Sequence, residues 1–281
     1  MLKNHGRYAY SSLPSRAKYT WPNGSHVAVY VAVNIEAFSY GEGKGAAIAP
    51  PDQALSHSIY SWRDYGNRVG FWRLMDMFDD LHIPAEHQIN TAIYEACPDI
   101  PARIRERGDE ILGHGETNSN EQGGLSEDAE RQLIRSCTQN ITKNEGKPPL
   151  GWMSPWLSNS EVTMDLLQES GYRYVMDWTM DDQPVWIRTR SGRILAMPAG
   201  RVPRAVYDAM RAEGHRASWT SVVHRLAYEW GLGDVWRQQK LPESAGSDDV
   251  GAWKARLRKL AKQRARVKLT GDLARRAPES R

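Results

Sequence analysis

The chain has 281 residues, 40% of them hydrophobic and 25% charged, with a formal net charge of +3. That apolar content supports a buried core and excludes a mainly disordered chain, and no apolar run reaches the roughly 18 residues that would cross a bilayer. Two cysteines, Cys97 and Cys137, are too few for a disulfide framework or a cysteine-based zinc site. The opening MLKNHGRYAYSSLPSR lacks the apolar core of a secretory signal, so the expected location is cytoplasmic. The charge is uneven: residues 254–281 carry 11 Lys/Arg and 2 Asp/Glu, a net of +9, which leaves −6 for residues 1–253. No aromatic residue is interleaved in this tail after Trp253, so a solvated helix is favoured over a nucleic-acid-binding module.

In chain order, the β-branched run VAVYVAVNI (27–35) predicts a strand buried on both faces, as in a parallel sheet. Residues 39–57, rich in Gly, Ala and Pro, read as a loop. Val69, Trp72, Leu74, Met75 and Phe78 recur at roughly helical spacing and predict a helix over 67–81. AEHQINTAIY supplies a second strand, and a helix over 100–107 ends at Gly108. The short run Glu110-Ile111-Leu112 is a strand leading into His114. Ser126, followed by Glu127, Asp128 and Glu130, starts a helix whose acids suit its dipole, and Gly146 stops it. LGWMSPWLS reads as a strand and turn, 160–169 as a helix, and YRYVMDW as a further strand. This alternation predicts an α/β architecture with a parallel sheet. After Pro198 no strand is visible, the chain turns Arg-rich, and 254–268 reads as a basic helix.

Four segments fall just beyond strand C-termini, where α/β enzymes place their chemistry. VNIEAFSYGEG places Glu36 directly after a buried strand, where a carboxylate is costly unless it is paired or active. GHGETNSNEQ places His114 likewise, GWMSPWLSNS supplies Trp156, and MDWTMDDQPVW brings Trp178 together with Asp177, Asp181 and Asp182. Taken singly, each has an ordinary structural use: ion-pair partner, turn histidine, core tryptophan, helix cap. Their ordered recurrence is what points to a site.

With these segments in this order, the chain resembles the polysaccharide deacetylase (NodB-homology) superfamily over about Tyr19 to Pro198. RDYGNRVGFWRL (63–74) and MDWTMDDQP are most similar to its metal-independent allantoinase-like branch. The resemblance implies a distorted (β/α) barrel with its site at the strand C-termini, incomplete at the C-terminal end, and hydrolysis of a non-peptide C–N bond. Metal-dependent members carry two adjacent aspartates after the first strand, base then ligand, and two ligand histidines four residues apart. Here Glu36 falls at the base position, Ala37 at the ligand position, and His114 and Asn118 at the histidine positions. One of three ligands remains, so no metal and no other cofactor is expected. Glu36 is then the base and His114 a hydrogen-bonding or proton-transfer group. Asn118, Asp181 and Asp182 are expected to contact a polar substrate, Trp156 and Trp178 to wall the pocket, and Arg68 to offer a bidentate contact to a carboxylate or ureide.

The expected partner is a small amide, ureide or N-acetyl sugar, with no membrane or nucleic acid; a homo-oligomer is compatible with the sequence. Two alternatives stand beside the metal-independent hydrolase: an N-acetyl-sugar deacetylase with an atypical metal site, and a silent protein that binds a sugar or ureide. The family's late His-Pro segment, whose histidine is the general acid, has no counterpart, since no His-Pro dipeptide occurs. The domain division is accordingly 1–198 for the catalytic unit and 199–281 for an atypical Arg-rich segment, with a change of reading frame near residue 199 as the favoured explanation.

Overall fold

The computed structural model describes residues 4–16, 30–45 and 57–198. Residues 199–281, with the expected Arg-rich segment and frame change, lie outside the described residues, as do 27–29 of the first expected strand and most of the Gly/Ala/Pro-rich loop.

Seven strands form one sheet: β1 (Ala32–Ile35), β2 (Glu86–Ile89), β3 (Glu110–Gly113), β4 (Gly151–Trp152), β5 (Tyr174–Val175), β6 (Val185–Thr189) and β7 (Gly192–Ala196). Their order is β1-β2-β3-β4-β5-β7-β6. All neighbours are parallel except β6 and β7, an antiparallel hairpin that the sequence reading does not anticipate. The described strands thus make the mostly parallel α/β sheet read from the sequence.

The helices are α1 (His57–Tyr65), α2 (Phe71–Leu81), α3 (Ile93–Ala96), α4 (Asp99–Arg107), α5 (Glu127–Glu145) and α6 (Thr163–Glu169). Several boundaries correct the sequence reading. The helix expected over 67–81 begins ten residues earlier, and a π-helical turn at Gly66–Gly70 joins α1 to α2. The second strand ends at Ile89, because the following residues turn into α3. The helix expected from residue 160 begins at Thr163.

Local chemistry explains the well-formed elements. α2 buries Phe71, Met75, Phe78 and Leu81, one stripe at helical spacing, against the sheet. In α5, Ser126 Oγ accepts the Ala129 N–H at 3.3 Å, three acids occupy the first turn, and Gly146 closes the helix at φ 70°. Removing such a cap costs about 1 kcal/mol.

Period-two alternation divides the strand residues between two environments. Ile35 and Ile89 pack with Phe71, Met75, Phe78, Ile93 and Ile100 beneath the helices. Leu112, Tyr174, Met176, Leu195 and Met197 form a separate buried cluster. Glu86 and Gln88 share it, through a Gln88 Nε2 hydrogen bond to Glu86 Oε1 at 3.0 Å and a contact to Met176 Sδ at 3.2 Å. Among the described residues no helix is long and apolar enough to cross a membrane, and Cys97 and Cys137 are both free.

Candidate active site

The strand register defines a rim. Ile35, Ile89, Gly113, Trp152, Val175 and Ala196 are successive partners across β1, β2, β3, β4, β5 and β7. The residues that follow them, each at a strand's C-terminal end, are Glu36, Asn90, His114, Met153, Met176 and Met197. One half of the row is ionic and polar, and the other half is methionine.

Gly113 and Gly115 hold His114 in place, each for its own reason. A Cβ on Gly113 would meet Trp152 Cε3 at 2.5 Å, and Gly115 takes φ +70° with Pro155 against it. The imidazole is buried, at 1% exposure. Its Nδ1 lies 2.7 Å from the Met153 carbonyl oxygen, which can only accept, so Nδ1 carries a proton. Nε2 is left buried without a hydrogen-bond partner among the described residues, and Glu36 Oε1 stands 3.6 Å away.

Glu36 is about one-quarter exposed. Burial acts to raise its carboxyl pKa, but the neighbouring His114 imidazole, helped by the Asn34 amide at 3.3 Å and the Arg63 charge, outweighs this, and the net shift is downward. The carboxylate is therefore held ionised.

Asn90, which the sequence reading passed over, ties the polar half of the rim together. Its side-chain oxygen accepts the Ala37 N–H at 2.9 Å, and its Nδ2 donates to the His114 carbonyl and, at 3.4 Å, to Asn118 Oδ1. Asn118 in turn donates its N–H to the Ala37 carbonyl at 2.8 Å and accepts Trp156 Nε1 on its own carbonyl at 2.7 Å. Trp156 is held at φ 60°, a conformation bulky residues rarely adopt, with its ring 46% exposed beside Lys44. A large apolar ring kept exposed on a strained backbone fits a wall built for contact.

The structure brings Glu36, His114, Asn118 and Trp156 together. The remaining expected residues are arranged otherwise. Arg68 is exposed; the arginine coupled to Glu36 is Arg63, one helical turn before Asn67, whose amide donates to the Glu36 carbonyl at 2.9 Å. Asp181 is paired with Arg16 at 2.6 Å and caps the Gln183 N–H, while Asp182 is exposed. Trp178 packs against the core and edge-on to Tyr8, and its Nε1 donates to Asn159 at 3.0 Å. Asn159 and both the N–H and hydroxyl of Ser154 converge on buried Asp177, whose carboxyl is pushed up by burial despite those bonds.

The donors do not suit a divalent ion. Ala37 offers none, the Asn118 amide is engaged by Asn90, and Glu36 with His114 makes two donors where protein zinc centres use three or four. Among the described residues no three His, Cys, Asp or Glu are grouped to hold a metal.

Comparison with known proteins agrees with this architecture. Residues 53–175 match the polysaccharide deacetylase family. A peptidoglycan deacetylase of Helicobacter pylori is 26% identical over 148 residues, covering 53% of this chain and 48% of the relative. A Schizosaccharomyces pombe protein described as a putative polysaccharide deacetylase is 24% identical over 59% of this chain and 58% of its own. The chain thus spans about half the length of the curated relatives it matches. Among solved structures, an allantoinase superposes with a TM-score of 0.64 at 20% identity over 91% of both chains. A probable polysaccharide deacetylase from Pseudomonas aeruginosa PAO1 gives 0.63 at 21% identity, over 91% of this chain and 92% of its own. At such identities these two structures establish the fold, a deacetylase-type α/β fold.

Proposed function

We propose that the chain, whose residues 53–175 match the polysaccharide deacetylase family, hydrolyses a non-peptide C–N bond, without a metal, in a ureide or related small amide. The observation that carries this is the Glu36–His114 pair: an ionised carboxylate 3.6 Å from a buried imidazole nitrogen that has no hydrogen-bond partner among the described residues. Ala37 and Asn118 stand where the metal-dependent members of the superfamily place ligands.

In this reading Glu36 removes a proton from the attacking water, a role that contributes roughly 10²- to 10⁴-fold. His114, oriented by its Nδ1–H bond to Met153, takes that proton from Glu36 on Nε2 and hands it to the leaving nitrogen. The likeness in fold to an allantoinase supports the ureide as substrate. The sequence similarity to a peptidoglycan deacetylase favours the second reading, an N-acetylated sugar. Assays of chelator-treated protein on allantoin, simple amides and N-acetylglucosamine oligomers separate the two. Turnover of the ureide that survives chelation supports the proposal. Turnover of the sugar that requires added zinc overturns it, and ligand binding without turnover of any of them marks a silent protein.

A further inference from the structure

A hydrolase without a metal needs another group to stabilise the oxygen that becomes negative when water adds to the carbonyl. Arg63 has the attributes of that group. Its guanidinium lies over the Phe38 ring, with Cζ 3.5 Å from the centroid, and Nη2 donates to the Gly45 carbonyl at 2.9 Å. Stacking and this anchor fix the plane of the fork. Nε, by contrast, is buried and has no hydrogen-bond partner among the described residues. Burial lowers the Arg63 pKa and the Glu36 charge opposes that lowering, so the two groups share one electrostatic environment.

Leaving a buried guanidinium N–H unpaired costs free energy comparable to a lost charged hydrogen bond. An immobilised cation with a buried, unused Nε donor, electrostatically coupled to the carboxylate that activates water, matches what a developing oxyanion requires. Preorganised donors in a site shielded from water stabilise such a charge without reorganising during the reaction.

We infer that Arg63 is a catalytic residue, donating from its Nε edge to the carbonyl oxygen of the scissile amide as that oxygen becomes anionic. This rests on the hydrolase reading above. The water oxygen bonds to the carbonyl carbon as its proton passes to Glu36, and the C=O π pair moves to the oxygen facing Arg63. When that pair returns, the C–N bond breaks and the nitrogen takes the water proton, passed from Glu36 through Nε2 of His114. The role expected for Arg68 thereby moves five residues earlier, from anchoring the ground state to stabilising charge.

The test compares wild type with Arg63→Lys, Arg63→Gln and Arg63→Ala on allantoin, separating kcat from KM, with circular dichroism as the check on folding. Binding of methylphosphonate, a tetrahedral oxyanion probe, is measured in parallel by calorimetry and needs no turnover. The expected result for Arg63→Gln is a fall in kcat of roughly 10²- to 10³-fold with KM changed far less. Lysine should keep part of the rate, and added guanidinium should restore part of it to the alanine variant. Methylphosphonate affinity should fall in step with kcat. Retention of kcat within about threefold in folded Arg63→Gln overturns the assignment, as does a loss confined to KM or an alanine variant that guanidinium does not rescue. If wild type leaves allantoin untouched but binds methylphosphonate through Arg63, the ureide reading fails and the Arg63 assignment stands. If methylphosphonate binding is also independent of Arg63, both fail.

Discussion

Two histidine–carboxylate pairs sit at opposite ends of the strands, and they are built differently. At the N-terminal end, His87 Nε2 meets Asp109 Oδ2 at 3.0 Å, with both side chains at most 2% exposed. Asp109 also takes Arg107 Nε at 2.8 Å and the Ala85 N–H at 3.0 Å, and Arg107 extends the network to Asp79 and to the Ile83 carbonyl. At the C-terminal end, His114 and Glu36 are 3.6 Å apart, Nε2 has no hydrogen bond among the described residues, and the carboxylate reaches solvent. In the first pair the facing atoms are joined directly and the carboxylate is fully engaged, although His87 Nδ1 has no hydrogen-bond partner among the described residues, and the pair holds elements together. The second leaves donor and acceptor capacity unused, which suits a group that must exchange protons with something not yet bound.

If that distinction is right, breaking each pair should produce a different kind of damage. The largest effect on stability is expected from Asp109→Asn, which strands His87 and Arg107 in a buried site. Removing one partner of such a network costs roughly 3–5 kcal/mol, read as a lower urea midpoint, with activity per folded molecule retained. His87, Arg107 and Ala85 together overcome the upward push of burial and hold Asp109 below its usual pKa. A depressed carboxyl stabilises the fold above its unfolded pKa, about 3.9, and that contribution disappears as pH falls through the lower folded value. Wild type should therefore lose this stabilisation only below about pH 4, and Asp109→Asn should flatten the acid limb of the stability curve.

Next in size is Asn90→Ala, which leaves the Ala37 N–H and the His114 carbonyl without their side-chain partner. The expected loss is about 1–3 kcal/mol, accompanied by a fall in kcat because Asn90 positions both Glu36 and His114. Equal activity with lowered stability would make Asn90 a structural residue alone. Arg16→Ala removes a partly exposed ion pair with Asp181. Its cost should stay within roughly 1 kcal/mol, and pairing it with Asp181→Ala in a double-mutant cycle isolates the coupling. The smallest effect is expected for exposed Arg68→Ala, within about 0.5 kcal/mol and without change in kcat.

How far these features were legible from sequence depended on how local their signals are. Helix α5 was readable because Ser126, its three acids and Gly146 mark both ends within the chain itself. The two-residue strands β4 and β5 carry little periodicity, but glycine and proline turns bracket them. The β6–β7 hairpin went unread although Val185, Ile187 and Thr189 are β-branched and Ser191-Gly192 marks a turn, because the acids just before it dominate the segment. Glu36 and His114 stood out as polar residues ending apolar strands. The same rule applied to Asn90 would have found it, but the polar residues of EHQI masked that strand's end. Arg63 and Arg68 could not be ranked without knowing that a π-helical turn at Gly66–Gly70 sets which face of this segment meets Glu36.

On the proposed reading, Glu36 acts as a base held ready by His114, with no metal between them. Its most direct test is kcat/KM of wild type and Glu36→Gln on the hydrolysed amide, after exhaustive chelation and across pH. Glutamine keeps the shape and cannot take the proton, so a loss of roughly 10²-fold or more is expected, with chelation leaving wild type unchanged. Because Glu36 is held below the usual carboxylate range, the wild-type rate should fall on the acid side only as pH drops through that lowered value. Wild-type activity that vanishes on chelation and returns with zinc, or an undiminished rate in Glu36→Gln, would contradict the account.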